Sequence, residues 1–161
     1  MDIKENYKPM LNELINDSSI LFKDKVSSWQ EAIKLAASPL IENESITIEY
    51  PKAMIDSVEN LGPYVVLAPG VAIPHARPEH GVNQLSMSLL KLNSPIAFAK
   101  GDFYQVSLIF VLAAIDNESH LKALMQLSNL LSDERNISTL MNSTTKEDIL
   151  KLIHHYSTEG E

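Results

Sequence analysis

The segment GVAIPHARPEHG, residues 70–81, carries an apolar run up to a histidine held between two prolines. A neutral imidazole keeps one unprotonated ring nitrogen near physiological pH, so His75 can act as nucleophile, base or ligand. Pro74 fixes the backbone before it and Pro78 restricts the turn after it, and such rigidity orients a reacting group. Arg77 adds a planar guanidinium, which suits a phosphate and carries no competing acceptor. The second candidate is His120, in AAIDNESHLKAL. It stands just inside a helix that follows an apolar strand, and a helix N-terminus offers unpaired N–H groups and partial positive charge to an anion. Both histidines follow the ends of strand-like runs, where α/β sheets place their sites, so the two can converge.

Other groups are weaker candidates. His80 lies close enough in sequence to suggest a metal pair with His75, but Pro78 breaks any helix between them and no carboxylate or thiolate completes a zinc pattern. His154 and His155 sit on a terminal helix about 100° apart and read as surface residues. The chain has no G-x-S-x-G elbow and no glycine-rich phosphate loop, with only five glycines in all. Asp102 and Asp116 could orient a histidine, although single acidic residues in such loops are more often caps and solvated turns.

The elements that must position these residues follow from periodicity. Residues 2–16 place Ile3, Tyr7, Met10, Leu11, Leu14 and Ile15 at helical spacing, and SILF (19–22) reads as a short strand. A serine-capped helix begins at SSWQEAIKLAASPL, with Pro39 interrupting its end. A second helical segment spans 47–62 and closes at Gly62-Pro63. YVVLA (64–68) and GVAIP (70–74) form two strands or one broken strand around Pro69-Gly70. LSMSLLKL (85–92) is a further strand, and 93–105 reads as a connection. VSLIFVLAA (106–114) is continuously apolar, as a central strand covered on both faces requires. Helices return over 117–133 and 144–156. The expectation is an α/β fold: a single layered domain over residues 1–161, with an N-terminal helix in 1–18 and a small mixed sheet flanked by helices in a core of about 20–156.

Composition narrows the partners. Thirteen basic residues against twenty-one acidic ones give a net charge of −8, which disfavours nucleic acid and anionic membrane and favours a basic protein partner. The absence of cysteine excludes disulfides, thiolate metal sites and a cysteine nucleophile. A polar start, MDIKENYKPM, and an apolar run too short for a bilayer point to a cytoplasmic soluble protein.

NLGPYVVLAPGVAIPHAR resembles the phosphorylation region of the enzyme IIA components of the bacterial sugar phosphotransferase system, mannitol–fructose class. In that family a small-apolar-Pro-His segment, here Ala72-Ile73-Pro74-His75, ends on the phosphorylated histidine. A second family histidine, beside a leucine at a helix start after the central strand, matches Ser119-His120-Leu121. The likeness spans roughly 20–156, and within the class PHARPE and the D-x-x-SHL pattern are most similar to the ascorbate-type branch. The mannitol branch carries an upstream arginine near the phosphate; the equivalent region around Glu59 and Asn60 has none, which leaves Arg77 as the nearest replacement.

The resemblance implies that His75 takes a phosphoryl group on its tele nitrogen from the histidine-containing phosphocarrier protein. The group then passes to a cysteine of enzyme IIB, which serves a membrane enzyme IIC. The residues themselves do not choose between the two ring nitrogens. His120 would stabilise the phosphohistidine and Arg77 would assist, with no metal or other cofactor, since phosphoryl transfer needs positioning and charge stabilisation. Two other readings are a phosphorylation-sensing regulatory module on the same fold, and a small metal-dependent hydrolase using His75, His80 and His120.

Overall fold

The computed structural model describes residues 11–159. The chain runs through α1 (Leu11–Leu14), β1 (Ile20–Lys23), α2 (Trp29–Glu42), α3 (Glu49–Leu61), β2 (Val66–Ala68), β3 (Val71–Ala72), β4 (Ser86–Ala97), β5 (Gln105–Ala113), α4 (Asn117–Leu131), α5 (Glu134–Asn142) and α6 (Lys146–Glu159). Most of the expected N-terminal helix lies outside the described residues; within them Leu11–Leu14 is helical.

The apolar run read as a central strand is one. β5 lies in the middle of a five-stranded sheet of order β1-β4-β5-β3-β2. It pairs antiparallel with β4 (Leu89 opposite Phe110) and parallel with β3 (Val71 opposite Leu108, Ala72 opposite Ile109). β1 runs parallel to β4, so the sheet is mixed. Because side chains alternate across a strand, β5 feeds two cores. Ile109, Val111 and Ala113 face α2 and α3, where Ala32, Ala36, Tyr50 and Met54 meet them. Leu108, Phe110 and Leu112 face the other way, onto Leu127, Leu130, Ile149 and Ile153 of α4 and α6.

Local chemistry explains most boundaries. Ser28 caps α2 by accepting from the Glu31 amide, and the Glu31 carboxylate accepts in turn from the Ser27 amide. Gly62, at φ 93°, ends α3 where other residues would be strained. YVVLAPGVAIP forms two strands, a tight β2–β3 hairpin with Pro69 followed by Gly70 at φ 86°, the order a type II turn demands.

Two expectations are corrected and one element is added. Pro39 does not interrupt α2, which continues to Glu42. Proline has no N–H for the Leu35 carbonyl, and the Ser38 hydroxyl donates to that carbonyl instead, at 2.7 Å. Residues 93–105 are not wholly a connection: after a register shift β4 continues, pairing Ile96 with Val106 and Ala97 with Gln105. The exposed Asn93, Ser94 and Pro95 hide that strand behind loop-like composition. Finally, α5 was not anticipated, because it buries fully only Leu140 and so lacks a strong apolar stripe.

Candidate functional site

β3 and β5 are parallel neighbours, so their carboxyl ends lie side by side, and His75 and His120 follow those two ends. Beyond Ala72 the chain stays between its two neighbours: the Ile73 amide donates to the Val65 carbonyl on the β2 side at 2.8 Å, and the Leu112 amide of β5 donates to the Pro74 carbonyl at 3.1 Å. At β5's end, Asp116 caps α4 by accepting from the Ser119 amide at 2.7 Å. His120, one residue on, is thereby turned toward His75. The two imidazole centroids lie 4.9 Å apart, inclined at 55°.

The His75 ring is fixed on one side. Its Nδ1 lies 2.9 Å from the carbonyl of Ile73. A carbonyl oxygen only accepts, so Nδ1 carries the proton and, in the neutral ring, Nε2 keeps its lone pair. Tyr64 meets the same imidazole edge-on, with centroids 6.0 Å apart at 86°. The Tyr64 hydroxyl shares a hydrogen bond of 2.8 Å with Ser57 on α3.

These groups line a hollow of about 350 Å³ together with Leu61, Arg77, His80 and Asn117. Arg77 is exposed and forms no ion pair among the described residues. A larger hollow of about 500 Å³ lies between the β2–β3 turn and α4–α5, but its walls are mainly apolar: Leu67, Pro69, Val71, Ile73 and Leu131. The concentration of titratable groups makes the smaller one the candidate site.

Electrostatics acts on His120. Burial first, and then the nearby His75, hold the His120 pKa below the ordinary imidazole value. Asp116 is held below the usual carboxylate range by the Ser119 amide and hydroxyl, so it is ionised at neutral pH. Asp116 thus takes up the Ser119 amide in the first turn of α4, and Asn117 and His120 of that turn line the hollow.

Of the residues singled out in the sequence, His75, Arg77, His80 and His120 share the hollow. Asp102 starts a single turn at the β4–β5 hairpin tip, Asp116 is a cap, and His154 and His155 are exposed on α6. Among the described residues no three His, Asp or Glu side chains gather closely enough to hold a metal ion. Sequence reasoning missed Tyr50, Ser57, Tyr64 and Asn117. Tyr50 is wholly buried and falls on the apolar stripe of α3, so it reads as core; only the structure shows its hydroxyl beside the His75 loop.

The family described as "Phosphoenolpyruvate-dependent sugar phosphotransferase system, EIIA 2" matches residues 13–156. The ascorbate-specific phosphotransferase system EIIA component of Escherichia coli K12 is 36% identical over 143 residues, 88% of this chain and 93% of that protein. Among solved structures, the mannitol-specific cryptic phosphotransferase enzyme IIA of Escherichia coli superposes with a TM-score of 0.84 at 35% identity, covering 91% of this chain and 99% of that one. A complex of enzyme IIAMTL with phosphorylated enzyme IIBMTL from Escherichia coli matches with a TM-score of 0.78 at 26% identity, over 88% and 99% of the two chains. With the fold and the family match in agreement, the chain belongs to the EIIA type-2 family of the sugar phosphotransferase system and is a phosphoryl-carrying phosphotransferase component.

Proposed function

We propose that His75 is the residue that carries the phosphoryl group, on Nε2. The observation that carries this reading is the 2.9 Å contact of Nδ1 with the Ile73 carbonyl, which leaves Nε2 as the nucleophilic nitrogen in a hollow shared with His120. The donor is the phosphohistidine of the histidine-containing phosphocarrier protein. The Nε2 lone pair forms the new N–P bond as the donor's N–P bond breaks, and the donor ring takes back its electron pair. His75 is then an imidazolium with its proton still on Nδ1, and the Ile73 carbonyl stabilises that charge. An N–P bond to a cationic ring breaks readily, which suits onward transfer. A cysteine thiolate of an enzyme IIB attacks phosphorus next, and the bonding pair returns to Nε2. Both steps depend on in-line positioning and charge stabilisation.

His120 places a ring N–H donor beside the phosphoryl oxygens, and the exposed Arg77 guanidinium supplies charge at the rim. Two exposed leucines, Leu61 at the hollow (73% exposed) and Leu121 next to His120 in the chain (57%), fit docking against protein partners. Among the described residues no helix is long and apolar enough to cross a membrane. We place the chain in the cytoplasm, feeding a membrane enzyme IIC indirectly through enzyme IIB. The 36% identity to ascorbate-specific relatives supports uptake of ascorbate or a related sugar or polyol.

The test is incubation with enzyme I, the phosphocarrier protein and phosphoenolpyruvate, followed by mass spectrometry. The wild type gains one acid-labile phosphate, His75→Ala gains none, and His120→Ala gains it more slowly or holds it for a shorter time. No acid-labile phosphate on the wild type, or its persistence in His75→Ala, overturns the assignment.

A further inference from the structure

The register of β3 against β5 puts Val71 opposite Leu108 and Ala72 opposite Ile109. Continued without a shift, it puts His75 opposite Leu112. A parallel rung at that point consists of two bonds to Leu112, one from each neighbour of His75. The first is present: the Leu112 amide donates to the Pro74 carbonyl at 3.1 Å. The second, from the Ala76 amide to the Leu112 carbonyl, is replaced by a side chain. The Ala76 amide donates to the Tyr50 hydroxyl at 3.0 Å, and that hydroxyl donates to the Leu112 carbonyl at 2.7 Å. One phenolic oxygen is thus inserted into the ladder directly beside His75.

The insertion has a geometric effect. A direct rung holds its two strands at ordinary sheet spacing, and an interposed oxygen separates them by the length of an additional hydrogen bond. The separation occurs on the Ala76 side only, because the Pro74 side keeps its direct bond. His75 therefore sits where the chain is levered away from β5. Tyr50 has no exposed surface, so no solvent competes for these bonds. Burial pushes its pKa up to about 12, partly offset by its bond to Ala76, and the hydroxyl keeps its proton at any physiological pH.

We propose that Tyr50 is a positioning residue for phosphoryl transfer, acting through the Ala76 amide to set the backbone angle at His75 and with it the Nδ1 contact to Ile73. This inference rests on the reading of His75 as the phosphorylated residue. Tyr50 does not touch the phosphoryl group; it acts on the residue that does.

Two measurements test it. In the wild type, the Ala76 amide exchanges with deuterium far more slowly than an exposed loop amide; exchange at the exposed rate overturns the proposal without any variant. In Tyr50→Phe, nitrogen-15 spectra of His75 show a mixture of ring tautomers in place of the Nδ1–H form, and transfer from the phosphocarrier slows roughly tenfold or more, because small misplacements at a reacting group carry large rate effects. A folded Tyr50→Phe with unchanged tautomer and unchanged rate overturns it. If the wild type takes up no phosphate the carrier reading fails, while amide exchange and tautomer still decide whether Tyr50 orients His75.

Discussion

At the scale of the residue, the two histidines differ in what holds them. His75 has its tautomer set by a backbone carbonyl, whereas His120 is shaped by burial and by His75 itself. A base whose folded pKa is depressed takes up its proton later than in the unfolded chain as pH falls. The folded state therefore loses stability relative to the unfolded one as the pH drops from the ordinary histidine value, about 6.5, through the lower folded value. An NMR titration of His120 is expected to give a midpoint below that ordinary value in the unphosphorylated protein. On phosphorylation the midpoint moves upward, because an adjacent anion favours the imidazolium. A midpoint that stays fixed on phosphorylation would remove His120 from the phosphoryl site. The candidacy of His75 was legible in one sequence because an apolar run ending in Pro-His is chemically unusual. That of Tyr50 was not: a tyrosine on a buried helical stripe looks like any core aromatic, and its partners, Ala76 and Leu112, are backbone groups remote in sequence.

At the scale of the element, the short β2–β3 hairpin holds the site from below, since β3 delivers the chain to Pro74 and His75. Its turn depends on Gly70. There φ is 86°, a conformation L-residues adopt only at a cost of about 1–2 kcal/mol. A Cβ added at that position would also lie 2.6 Å from the Met141 methyl, which must move aside. Gly70→Ala is expected to lower stability by about 1–2 kcal/mol in urea denaturation, with phosphorylation retained at temperatures where the variant is folded. An unchanged unfolding midpoint would mean that the turn has another accessible geometry. Elements with a strong apolar pattern were readable from sequence: α2, α3, α4, α6 and β5 lie where periodicity puts them. Those that escaped have mixed surroundings. The outer part of β4 is half exposed, and α5 rests on Leu140 with polar residues over most of its surface.

At the scale of the whole molecule, β5 is the shared wall of two cores, so damage to it reaches both layers and the site at its end. Phe110 is fully buried on the α4–α6 side. Phe110→Ala is expected to destabilise the fold by about 3–5 kcal/mol, measured by urea denaturation, the range for removing a buried aromatic side chain. A cost below about 1 kcal/mol would show that this layer repacks freely. The acidic balance of the chain, −8 overall, bears on its encounters more than on its fold. It also gives one local feature a wider meaning. The positive end of α4 carries the chain's own ionised Asp116, which takes up the Ser119 amide. A relay component that clutched its cargo would become a sink and stall every step behind it. On the proposed reading of His75, a carboxylate seated at that end offsets part of the pull that α4 would exert on a phosphoryl group, which suits a group that is to be passed on.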